Sequence, residues 1–293
     1  MLPTGTSPDW AEVDIAVPRP PVRLPGVAMA GFRQRLPAPV DIAMVAHPSV
    51  TLLLDLSDGE GIVHGVHGRR RHGSFVAGLH PAGLRVGGRV GECLQIRLGP
   101  VAAAAVLGAS AELTGTVVPF RDVWGHDADR AEDRLRAAAT WDERFAIAAE
   151  ILGRRPAPRP PVDPEVAHIW RRTLTGQGRV RVEGLADEVG WSRKRLWSRF
   201  RAQLGITPKR AARLVRFDHA AHLLAAGRAP VDVAAECGYV DQSHLHREVR
   251  TFTDLTPAGV ATAPWLAIDD TAWPPPTPPR LPVDGRQRAL RPR

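Results

Sequence analysis

What most limits the folds open to this chain is a duplication inside its last third. Residues 185–208, LADEVGWSRKRLWSRFRAQLGITP, align with residues 233–257, VAAECGYVDQSHLHREVRTFTDLTP. Ala186, Gly190, Leu196, Phe200, Ile206, Thr207 and Pro208 answer to Ala234, Gly238, Leu245, Val249, Leu255, Thr256 and Pro257. The offset is 48 residues before the turn and 49 after it, so the second copy carries one extra turn residue. Each copy reads as a helix-turn-helix. A small residue lets two helices approach, and four residues later a glycine supplies the positive φ of a tight turn. Ser192 and Asp241 stand where the following helix needs an N-cap. Leu196 with Phe200, and Leu245 with Val249 and Phe252, give those helices their inward faces. Between the copies, Thr207 caps and Pro208 opens a helix running to Ala226, which Gly227 ends. Leu214, Phe217, Ala221 and Leu224 form one stripe along it, which predicts a rigid brace between the two units.

The charge pattern falls on the same elements. The chain has 39 Lys+Arg against 31 Asp+Glu, a formal net charge of +8, and only Lys194 and Lys209 are lysines. From Val189 to Phe217 there is no acid, while Arg193, Lys194, Arg195, Arg199, Arg201, Lys209, Arg210, Arg213 and Arg216 supply nine cations. Alone, such a run is a solvated face; on the second helix of a helix-turn-helix it points to nucleic acid. Arginine's flat, multi-donor head suits phosphates and the guanine edge. At about 100° per residue, the face opposite Leu196 and Phe200 holds Lys194, Ser198 and Arg201. The equivalent face in the second copy holds Ser243, Arg247 and Arg250. Lys209 and Arg210, near a helix N-terminus, read as phosphate contacts, as do Arg193, Arg201 and Arg250.

On these residues, above all GYVDQSHLHREVRTFTDLTP, the chain resembles the AraC/XylS family of transcription regulators, over roughly residues 165–262. The resemblance implies double-stranded DNA as partner, with Lys194, Trp197 and Ser198, then Gln242, Ser243, His246 and Arg247, at base edges. It also implies that the first domain senses a small effector, forms a homodimer, or both, and that an activator would contact RNA polymerase. Helical periodicity alone agrees on Lys194, Ser198, Ser243 and Arg247. Trp197 has a core or rim aromatic as its lesser alternative, Gln242 reads as an adenine or phosphate contact, and His246 as a donor or a plain surface residue. His244 reads as facing solvent or the partner helix. The sequence departs from the family twice. Val249 stands at a usual aromatic and Asp254 at a usual glycine; aspartate tolerates the left-handed conformation, so the second unit is expected to be slightly less stable.

The rest of the chain predicts an α+β protein: a β-rich N-terminal domain, cupin-like or a sandwich, then the all-α domain. Residues 1–21 are proline-rich and read as a disordered leader. Residues 22–152 read as a sensor and dimerisation domain. Up to Phe120, short apolar runs between glycine clusters read as closely spaced strands, with Val101–Leu107 open to strand or helix. Ala131, Leu135, Ala138, Ala139, Phe145, Ala148 and Ile151 then mark one or two amphipathic helices, which suit a dimer contact or packing on their own sheet. Residues 153–164, GRRPAPRPPVDP, read as a stiff linker, residues 165–262 as the DNA-binding domain, and residues 263–293 as a disordered tail.

Other classes find little support. The longest apolar run, Leu98–Ala111, is 14 residues, short of the about 20 a membrane helix needs. The N-terminus lacks a secretory pattern. Two cysteines, Cys93 and Cys237, build neither a disulfide framework nor a zinc site, and a reducing cytoplasm is expected. His64, His67, His72 and His80 lie among glycines, but a cupin metal site wants two histidines one residue apart and a following glutamate. Surface histidines on a hairpin are the plainer reading. A repair alkyltransferase needs a Pro-Cys-His-Arg nucleophile that is missing, and an architectural protein would bind by salt-governed charge alone. No enzyme activity, metal or cofactor is expected.

Overall fold

The computed structural model describes residues 9–36, 39–57, 61–66, 69–79, 84–108, 110–154, 162–263 and 266–273. Its first half is built on β1 (Val13–Ala16), β2 (Val27–Gln34), β3 (Val40–Ala43), β4 (Val50–Asp55), β5 (Gly61–Val66), β6 (Arg69–His72), β7 (Phe75–Ala77), β8 (Leu84–Arg89), β9 (Glu92–Leu98) and β10 (Val117–Pro119). They form an antiparallel six-stranded sheet, β1-β2-β9-β4-β7-β10, and a four-stranded sheet, β3-β8-β5-β6. Side chains alternate across a strand, so each face of the larger sheet has its own task. Phe32, Thr51, Leu53, Phe75 and Gln95 turn toward Val40, Ile42, Ile62, Leu84 and Val86 of the smaller sheet and enclose a cavity. Leu52, Leu54, Val76, Leu94 and Ile96 turn the other way, into the main core.

That outer face is covered by helices α1 (Pro100–Leu107), α2 (Ser110–Leu113), α3 (Phe120–Trp124), α4 (Ala128–Ala137) and α5 (Trp141–Arg154). Val101–Leu107 is helical because Pro100 opens the first turn and Gly108 closes the last at φ 66°. Gly31 is required where α5 crosses β2: a Cβ there would stand 2.3 Å from the Trp141 ring. Ala131, Leu135, Phe145 and Ala148 are buried in this core, with Leu152 rather than the expected Ile151; Ala138 and Ala139 fall outside the stripe because α4 ends at Ala137, leaving the first half-buried and the second exposed.

Three expectations need correction. Residues 9–21 are not a disordered leader, because Val13–Ala16 pairs with Gly31–Gln34 as an edge strand. Nor is all of the tail after residue 262 unstructured: Leu266–Ile268 forms a 3-10 turn and Asp269–Ala272 a short helix, α13. Residues 1–8, most of the expected linker (155–161) and residues 274–293 lie outside the described residues. The third correction is His64, which is 2% exposed with its ring tilted against Phe75 at 4.4 Å, not on the surface. Burial, with Arg71 nearby, lowers its pKa to about 4 and keeps it neutral. His72 is exposed on β6; His67 and His80 fall outside the described residues.

The second half is α6 (Pro164–Thr175), α7 (Val182–Glu188), α8 (Arg193–Leu204), α9 (Pro208–Ala225), α10 (Pro230–Glu236), α11 (Gln242–Thr253) and α12 (Pro257–Ala261). Its core is continuous with that of the first half. Gly205, at φ 76°, makes one such join, since a Cβ there would stand 2.5 Å from the Ala111 carbonyl and 2.3 Å from Thr114 Oγ1. A polar clasp makes another. Asp269 accepts from Arg97 of β9 at 2.9 Å and meets His222 Nε2 of α9 at 2.7 Å. Trp273 lies 4.1 Å from the Arg97 guanidinium. Among the described residues, no helix is long and apolar enough to cross a membrane.

Candidate nucleic-acid interface

The two copies fold alike down to single hydrogen bonds. Gly190 and Gly238 take φ 65° and 71°. Just beyond them Trp191 N–H donates to Ala186 O, and Tyr239 N–H to Ala234 O, both at 2.9 Å, the closure of a helix ended by a left-handed residue. Ser192 then caps α8 through the Arg195 amide, and Asp241 caps α11 through the His244 amide. The extra residue of the second turn places Val240 at 87% exposure. Asp254 ends α11 at φ 60°, as Gly205 ends α8, and Val249 is fully buried where the family usually has an aromatic. Between the units, Thr207 caps α9. Leu214, Phe217, Ala221 and Leu224 are all buried, with Phe217 stacked 4.9 Å from Phe252 of the second unit.

Leu196, Phe200, Leu245, Val249 and Phe252 face the core. The opposite faces are open: Lys194, Ser198 and Arg201 on α8, and Gln242, Ser243, His246, Arg247 and Arg250 on α11, are exposed. Trp197 is 47% exposed, with the Arg201 guanidinium 5.1 Å from its ring, which removes the core reading for this indole. Gln242 and His246 lie one helical turn apart with Nε2 atoms 3.5 Å from each other. Lys209 and Arg210 are exposed in the first turn of α9, where amide dipoles favour an anion.

Residues 185–262 match the family described as a helix-turn-helix domain. They form an AraC-type helix-turn-helix domain. An uncharacterized HTH-type transcriptional regulator of Bacillus subtilis (strain 168), YbfI, is 38% identical over 66 residues, covering 22% of this chain. The match takes in 24% of that relative, about a quarter of its length. Among solved structures, ToxT from Vibrio cholerae O395 is 9% identical with a TM-score of 0.45, covering 83% of this chain and 98% of that one. An AraC-type regulator from Chromobacterium violaceum is 21% identical with a TM-score of 0.32, covering 38% of this chain and 96% of that one.

Within the AraC-type domain the acid-free stretch is less free than it looks in one dimension. Arg199 forms two 2.8 Å bonds with Asp163, just before α6. Arg213 is held by the buried Glu248 of α11 at 2.8 Å, which ties the brace to the second unit. Arg216 lies 4.7 Å from the Tyr239 ring and Arg195 4.6 Å from Trp191. Arg193 meets Glu183 at 3.3 Å, but both are well exposed, so that pair is weak and exchangeable. Apart from Trp191, these partners come from outside residues 189–217, and no local signal announces them. On α6 and α7, Arg172 grips Glu188 at 2.9 and 3.0 Å and, with His168, lowers that carboxyl to about 2.

Neither cysteine suits catalysis. Burial pushes Cys93 up to about 12 and Cys237 up to about 11, and a thiol that resists ionising is a poor nucleophile.

Proposed function

We propose that the chain is a sequence-specific DNA-binding transcription regulator, not an enzyme, whose N-terminal domain is its effector-sensing part. α8 and α11 enter two successive major-groove segments, about 34 Å apart on one face of the duplex. Lys194, Trp197 and Ser198, then Gln242, Ser243, His246 and Arg247, meet base edges, while Arg193, Arg201, Lys209, Arg210 and Arg250 meet phosphates. The observation that carries this reading is the repeated geometry: two capped helices with apolar faces buried and these polar faces open. In support, α9 packs against helices of both units, which favours a spacing fixed before DNA arrives. Selection of bound fragments from random DNA by the full chain, then footprinting, tests it. Two protected segments one helical turn apart are expected; protection of a single segment, or affinity that follows salt alone, overturns it.

A further inference from the structure

The cavity between the sheets has a specific chemistry. Its volume is about 140 Å³, and among the described residues no Asp, Glu, Lys or Arg lines it. Most of its wall is apolar, including Phe32, Leu53, Ile62 and Phe75. Gln34, His47, Ser49, Thr51 and Gln95 are its polar side chains, and two of them carry a buried nitrogen with no partner among the described residues. Gln95, in the middle of β9 and 8% exposed, has its Nε2 buried with no hydrogen-bond partner among the described residues. His47 has Thr51 Oγ1 3.0 Å from Nε2, but its Nδ1 is buried and likewise unpartnered. Burial and the nearby Arg97 depress His47 to about 3, so it is neutral. The cations next to it among the described residues, Arg97 and His222, are both engaged by Asp269, and Arg97 also by Trp273.

A buried amide donor without an acceptor is costly, so native structures supply one. A cavity with no charged lining excludes an ion, which would be desolvated without compensation. Its size matches the cavity of about 150 Å³ that accepts benzene. We propose that this cavity binds a neutral, mainly apolar molecule of about six to ten non-hydrogen atoms with one hydrogen-bond acceptor, taken by Gln95 with His47 beside it. The proposal rests on the sensor reading of this domain. Ile268, next to the clasp residue Asp269, is part of the cavity wall, so the ligand would touch the segment that joins the two halves.

The test is calorimetric titration of the full chain, without DNA, using three probes of similar size: acetophenone, ethylbenzene and benzoate. Acetophenone should bind saturably, ethylbenzene about tenfold more weakly for want of the acceptor, and benzoate not at all. In Gln95→Leu the advantage of acetophenone should vanish while ethylbenzene still binds, which also shows that the cavity is intact. Equal affinity for acetophenone and ethylbenzene in the unmodified chain would mean that water serves Gln95, and overturns the proposal. Binding of benzoate as tight as acetophenone, or of no probe, also overturns it, so the outcome does not depend on whether the variant folds. Footprinting the same preparation separates the two readings: DNA protected but no probe bound sinks the ligand alone, and the reverse sinks the regulator alone.

Discussion

The clasp between the halves should make stability fall with rising pH. Both ring nitrogens of His222 face acceptors, Nε2 toward Asp269 Oδ2 and Nδ1 toward the Asp218 carbonyl, each at 2.7 Å. Only the imidazolium can donate from both, and the Asp269 bond leads the rise of its pKa from 6.5 to about 9. A proton bound more tightly in the folded chain stabilises it fully below the unfolded pKa, and that contribution is lost as pH climbs from 6.5 to about 9. At about 1.4 kcal/mol per tenfold change the ceiling is about 3 kcal/mol. The His222 side chain is 36% exposed, so screening reduces this to about 1–2 kcal/mol, or about 2–6 °C in melting temperature. The neighbours do not blur the window. Burial sets Asp218 at about 6 and His47 at about 3. The thiols, raised to about 12 and about 11 in the folded chain, begin to titrate near the window's upper end only when unfolded, equally in any variant outside their surroundings. Urea unfolding at fixed ionic strength across this range should show the loss in the native chain, and Asp269→Asn should start lower and run flat. Parallel curves for the two proteins, or native stability that rises through the window, would refute the reasoning.

Other expectations follow from the DNA-binding half. Gly190→Ala should cost about 1–2 kcal/mol, the left-handed penalty alone, because a Cβ there meets nothing within 4 Å. Gly205→Ala should cost a further about 1–3 kcal/mol, because its Cβ collides with Ala111 and Thr114; equal urea midpoints would deny that contact. Arg247→Ala should weaken the selected DNA site by about 1–3 kcal/mol and relax one base position, and uniform weakening on every sequence would assign it to the backbone. Lys209→Ala should lower the slope of log affinity against log salt by about one, with sequence preference unchanged.

Sequence alone determined what is local. Ser192, Thr207 and Asp241 were recognisable as caps, Gly190, Gly238 and Asp254 as left-handed positions, and the α9 stripe as buried, because each depends on neighbours within one or two helical turns. The open faces of α8 and α11 follow from the same 3.6-residue period. What tertiary structure decided is pairing across distance. Asp163 with Arg199, Glu248 with Arg213 and Asp269 with Arg97 and His222 join residues 35 to 172 positions apart. The inward placement of His64 and Gln95 depends on strand registers with Val86 and Leu53, partners well along the chain. A lone glutamine among apolar residues gives no hint that two sheets will close a cavity around it, because enclosure belongs to the packed layers and not to any segment.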